Sequence, residues 1–172
     1  MTLETSNHYK LAFKGLEDGN HTFKMSIGVE FIELFGIEHL QNILIGILIK
    51  MIKRGTILEL HIEGRGSVVV ACDRCLEPYE QHVSFDNDVI VKTNAAKSEV
   101  IDETLIHITP QTDALELGQY LYESLMVSLP IKMVHPLGKC NKEMVERLKP
   151  NKIKQNNNTS DPRWDALKNI KF

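Results

Sequence analysis

The chain has 172 residues, 42% hydrophobic and 25% charged, which gives room for one ordinary domain with an appendage and excludes global disorder. Aromatic residues make up 6%, with a single Trp, and the net charge is −3, so a surface built wholly on stacked bases or phosphate contacts is excluded. Charge is divided unevenly along the chain: residues 1–130 carry a balance of −9 and residues 131–172 a balance of +6. Clustered cations, rather than net charge, attract polyanions, so any nucleic-acid contact is expected in the C-terminal quarter.

Taken in chain order, His8–Phe13 and Thr22–Ile27 read as short strands around the turn-forming Glu17-Asp18-Gly19-Asn20. Val29–Phe35 reads as a short helix ended by Gly36. Beyond Gln41, Ile43, Ile45, Ile47, Ile49 and Met51 fall on one strand face and Leu44, Leu48 and Ile52 on the other. That pattern predicts a central strand buried on both faces. After the turn at Arg54-Gly55, Leu58, Leu60 and Ile62 alternate with Glu59, His61 and Glu63, a strand with one wet face. Gly64-Arg65-Gly66 is expected to interrupt it as a bulge before Val68–Val70 resumes it. Glu80–Lys92 is the next strand, with Val83, Phe85, Val89 and Val91 inward, and 93–104 reads as a mobile loop.

Asp113 with Glu116 has capping-box spacing, and Ala114, Leu117, Leu121 and Leu125 form a helical stripe, so a long helix is predicted from Asp113 to about Leu129, before Pro130. A short helix follows at 141–148. Residues 149–160, polar and basic, read as a flexible linker, and 161–172 as a short amphipathic helix started by Asp161-Pro162. The predicted organisation is one α+β domain over 1–148, the linker 149–160 and the C-terminal helix 161–172. An antiparallel sheet of about five or six strands is expected to pack against the one long helix.

Met1–Lys10 lacks the basic start and apolar core of a signal peptide, and the longest apolar run, Ile43–Ile52, is too short to span a bilayer. A cytoplasmic protein without membrane contact is expected, in which three cysteines are metal ligands or spectators rather than disulfides. Cys72 and Cys75 stand in the C-x-x-C spacing that directs two thiolates at one tetrahedral ion. His135 and Cys140 offer two more donors, completing a Cys3His zinc site that ties the sheet to the segment after the helix. Two other readings stay open: a redox pair, which the acidic Glu77 and Glu80 disfavour, and two reduced thiols packed as small hydrophobes.

No Gly-rich phosphate loop followed by a helix, no G-x-S-x-G and no H-E-x-x-H occurs, and neither His61 nor the Asp86/Asp88 pair is accompanied by other catalytic groups. No catalytic residue and no small-molecule substrate are therefore expected. Lys139, Lys142, Arg147, Lys149, Lys152 and Lys154 form a basic tract that can follow a phosphate backbone without reading sequence, or serve only as a solvated tail. Arg163, Trp164 and Leu167 lie on the C-terminal helix as a docking element, either for a partner or for this protein's own sheet.

Three blocks in order carry a family resemblance: Val69–Pro78 with its Cys72-Asp73-Arg74-Cys75-Leu76-Glu77-Pro78, Tyr120–Pro130, and Asp161–Leu167 with its Asp-Pro-Arg-Trp. From about Gln41 to its end the chain resembles the YceD family, whose members are named large ribosomal RNA subunit accumulation proteins. Arg74, Leu76, Glu77 and Pro78 are the motif positions beside the cysteines. Members often place His or Cys where His135 and Cys140 stand, many with a second Cys pair; this chain has one Cys there. The resemblance implies a non-enzymatic bacterial cytoplasmic factor needed for normal 23S rRNA accumulation. Its partner would be precursor 23S rRNA, a large-subunit ribosomal protein or a processing enzyme. The alternative is a small zinc-binding or thiol-redox module with no ribosomal role.

Overall fold

The computed structural model describes residues 9–93, 105–109 and 111–148. Those up to Cys140 form one compact unit, and a second begins at Asn141. In chain order the elements are β1 (Lys10–Ala12), β2 (Gly19–Ile27), α1 (Val29–Phe35), β3 (Leu40–Arg54), β4 (Ile57–Ala71), β5 (Pro78–Thr93), β6 (Leu105–Ile108), β7 (Ala114–Glu116), α2 (Gly118–Ser128) and α3 (Lys142–Leu148). Strands β2 to β6 form one sheet in sequence order, and β1 pairs with β7 in a small ribbon.

The fold is α+β, as expected, with two corrections to the sheet. β2, β3, β4 and β5 are antiparallel neighbours, but β6 pairs parallel to β5, from Ile90 with Leu105 to Thr93 with Ile108. A parallel neighbour requires the chain to cross back before pairing, which no local pattern announces. The second correction concerns β3, which lies inside the sheet yet is buried on one face only. Ile43, Ile45, Ile47, Ile49 and Met51 are in the core, whereas Leu44 is 70% exposed. Leu58, Leu60, Ile62, Val68 and Val70 of β4 and Val83, Val89 and Val91 of β5 continue that core face. Helices cover it with Phe31, Leu121 and Leu125, each fully buried.

β4 runs unbroken through Gly64-Arg65-Gly66, with no bulge; the register shift lies instead between Leu40 and Asn42 of β3. The glycines are there because neighbours come close. A Cβ on Gly64 would meet the Phe85 ring at 2.2 Å, and one on Gly66 would meet the Leu44 carbonyl oxygen at 2.1 Å.

The long helix predicted from Asp113 is also corrected. Ala114–Glu116 is strand β7, and α2 begins at Gly118 and is 11 residues long. Asp113 caps nothing: its carbonyl accepts from the Phe13 and Lys14 N–H groups, and its carboxylate pairs with Lys14. Pairing with a distant strand outweighs local helix preference here. The helix stripe survives in Leu117, Leu121 and Leu125 but loses Ala114 to the strand.

Other expectations hold. α1 occupies Val29–Phe35 and closes on Gly36, whose φ of 62° is the left-handed C-cap that glycine adopts without strain. α2 stops before the extended Leu129 and Pro130. α3 is the short helix expected over 141–148. The loop expected at 93–104 (apart from Thr93, which ends β5), the linker 149–160 and the helix 161–172 lie outside the described residues. Among those described, no helix is long and apolar enough to cross a membrane.

Candidate metal centre

β4 and β5 are strands of 15 and 16 residues whose register ends at Ala71 opposite Pro78. The residues between them make a tight knuckle. The Cys72 N–H donates to the Glu77 carbonyl at 2.9 Å, and the Leu76 N–H returns to the Cys72 carbonyl at 2.8 Å. Closing that turn places Leu76 at φ 63°, a left-handed conformation that a bulky L residue rarely takes. Its side chain stays 69% exposed.

The chain after α2 is clamped against this knuckle through Asp73. The Asp73 N–H donates to the Met133 carbonyl at 2.8 Å, and the Met133 N–H donates to Asp73 Oδ2 at 2.7 Å. Two residues further on, the His135 N–H points at Cys72 Sγ, 3.5 Å away. The His135 ring packs on Tyr79 at 4.8 Å between centroids. Lys139 N–H donates to the Pro136 carbonyl, and Gly138 at φ 80° turns the chain so that Cys140 comes back to the knuckle.

The four donors expected from sequence are thus brought together, all within 4.8 Å of one another. Cys72 Sγ is 3.9 Å from Cys140 Sγ, and Cys75 Sγ is 3.4 Å from His135 Nδ1. Metal–donor bonds of zinc length at tetrahedral angles put two sulfurs about 3.8 Å apart and a sulfur and an imidazole nitrogen about 3.5 Å apart. The donor set therefore fits Zn²⁺. Four protein donors are the number that structural zinc sites use, whereas catalytic ones use three and keep a position open.

The electrostatics agree with a thiolate at its centre. Burial pushes the Cys72 thiol up, but the N–H groups of His135, Cys75 and Arg74, together with the His135 side chain, outweigh it and bring the thiol to about 6. The Cys140 thiol is raised, first by desolvation and then by the Cys72 sulfur beside it. One ion facing all four donors removes that conflict, because a coordinating thiol is deprotonated by the metal charge.

The remaining expected residues are dispersed. Arg74 is exposed at the knuckle, and Pro78 opens β5. Lys139 is exposed between His135 and Cys140. Lys142 and Arg147 lie on α3 in the second unit, with Arg147 bonded to Glu143 at 2.6 Å. Lys149, Lys152, Lys154, Arg163, Trp164 and Leu167 are outside the described residues. The sequence reading missed Asp73 and Tyr79. Asp73 reads locally as a turn former, and nothing near it indicates a partner at Met133.

The model of one family, described as Large ribosomal RNA subunit accumulation protein YceD, matches residues 60–171, a span that contains all four donors. No curated protein and no solved structure matches the chain.

Proposed function

The chain belongs to the YceD family, and from that premise we propose that it is a non-enzymatic cytoplasmic factor promoting 23S rRNA accumulation by binding precursor rRNA or an early large-subunit partner. The family match carries this reading, since the family is named for accumulation of large-subunit ribosomal RNA. The donor cluster supports a binding role: Cys72, Cys75, His135 and Cys140 would hold Zn²⁺ as a fixed cross-link between the sheet and the segment after α2. Such an ion holds both segments in one geometry and offers no site for a substrate.

Direct contact with RNA would come from Lys139, Lys142, Arg147, Lys149, Lys152 and Lys154, and partner docking from Arg163, Trp164 and Leu167. The charge division supports this, because the acidic first 130 residues repel phosphates and the basic end attracts them. Deleting the gene and resolving ribosomal RNA on gels tests the reading. Mature 23S rRNA is expected to fall relative to 16S; unchanged 23S and precursor levels would refute it.

A further inference from the structure

β5 is paired with β4 along its whole length, but on its other side β6 covers only Ile90–Thr93. Among the described residues, 78–89 of β5 therefore form a strand edge that no other strand covers, where the His82 carbonyl accepts from the Gln81 side-chain amide at 2.8 Å and that side chain must swing aside for a new strand to pair. Open edges are commonly guarded by lysine, proline or a bulge. This one has no Lys or Arg before Lys92, no Pro after Pro78 and no register shift.

Helix α2 runs beside this edge. The Asn87 side-chain amide donates to Ser124 Oγ at 3.0 Å, and that hydroxyl donates to the Tyr120 carbonyl at 2.8 Å. Between strand edge and helix lies a groove of about 420 Å³. Phe85 and the 87%-exposed Val127 supply apolar surface, and Ser84, Asp86 and Glu123 supply polar walls. Over 78–91 and throughout α2 the charged residues are Glu80, Asp86, Asp88 and Glu123, with no Lys or Arg among them.

We propose that this groove binds an extended, lysine- or arginine-bearing segment of a partner protein, which adds to the sheet as a strand along β5. An open edge beside a helix recognises peptide backbone, and pockets for alternate side chains supply selectivity. The acidic walls select cations and repel a phosphate backbone, so the occupant is a protein segment rather than RNA. Proteins that coat ribosomal RNA carry such cationic segments, because they neutralise its phosphates. The identity of the partner as a large-subunit protein rests on the function proposed above; the strand-addition site does not.

The test uses the full chain and a ten-residue peptide alternating Lys and Val. Isothermal titration should show binding that weakens with salt, and the backbone amides in 80–88 that point away from β4 should gain protection from hydrogen exchange. Asp86→Lys with Glu123→Lys should weaken binding at least tenfold, and the neutral pair Asp86→Asn with Glu123→Gln should weaken it less, with the folded circular-dichroism spectrum of the parent kept by both. Absence of binding, equal affinity of both double variants and the parent, or outward-pointing amides of β5 already protected in the free protein would overturn the proposal. So would tighter binding of an RNA oligonucleotide at this edge. In a deletion strain, 23S loss that the charge-reversed variant rescues would reject the groove's role while leaving the family role intact. Unchanged 23S on deletion would reject the family role alone.

Discussion

The sulfurs of Cys72 and Cys140, 68 positions apart in sequence, lie 3.9 Å from each other. Both cysteines are free thiols, and the separation matches two ligands of one tetrahedral ion. Asp73 and Met133 fix the approach through two reciprocal hydrogen bonds, so the donors converge because the backbone is held, one residue from Cys72 and two from His135.

Leu76 offers a test of how the knuckle is held. Its positive φ costs on the order of 1–2 kcal/mol for a branched L residue, and its exposed side chain recovers little by packing. Leu76→Asn tolerates that conformation and should raise stability by about 1 kcal/mol in urea melts. A loss of stability would mean that the leucine is packed in a way its exposure does not show.

Two glycines of the central hairpin should respond unequally. Gly66→Ala places a methyl group against the β3 backbone at Leu44 and should cost upwards of about 2 kcal/mol. At Gly46 the nearest atom to an added Cβ is the Arg65 carbonyl at 3.8 Å, so Gly46→Ala should change stability by less than about 1 kcal/mol. Thermal melts of the two variants, read side by side, check the register of β3 against β4.

His61 sits on the outer face of β4, its Nδ1 2.8 Å from Asp88 Oδ1 and its Nε2 3.3 Å from Glu63 and 3.4 Å from Asp86. The Asp88 hydrogen bond raises its pKa above the ordinary 6.5; desolvation opposes this, and the charges of Asp86, Asp88 and Glu63 reinforce it. A raised folded-state value means that the stabilisation is fully present below pH 6.5 and is lost as pH rises through the folded value. The melting-temperature advantage of the parent over His61→Gln should therefore shrink over the interval above pH 6.5. An advantage that grows over that interval would contradict the assignment.

The basic tract makes a quantitative prediction for RNA. Replacing Lys149, Lys152 and Lys154 with Ala should weaken binding about equally across RNA sequences and flatten the salt dependence by up to about three units of slope. Full affinity with an unchanged slope would place the contact elsewhere.

What could be read from sequence was local or chemically distinctive. Val29–Phe35 ends at a glycine that the left-handed cap requires, and the alternation of Val83, Phe85, Val89 and Val91 marks the inward face of β5. Cys72, Cys75, His135 and Cys140 stand out because few residue types bind zinc, and so they could be grouped before their positions were known. What escaped was decided by distant partners. Asp113 looks like a cap until β1 arrives to pair with β7. Gly64 and Gly66 look like a break until Phe85 and the β3 backbone occupy the space beside them. The apolar run of β3 predicts two buried faces, yet the covering helices lie on one, leaving Leu44 exposed. The parallel pairing of β6 depends on a crossover that carries no local signature.

Metal content of the full chain, purified without a histidine tag, decides whether the four donors hold an ion. About one equivalent of zinc is expected, with a chelator lowering the melting temperature, because metal binding energy is folding energy. Cys140→Ser should lose the metal and cost about 3 kcal/mol or more, well above the ~1 kcal/mol of an ordinary substitution. Less than about a tenth of an equivalent, with Cys140→Ser melting like the parent, would show that the four donors converge without holding an ion.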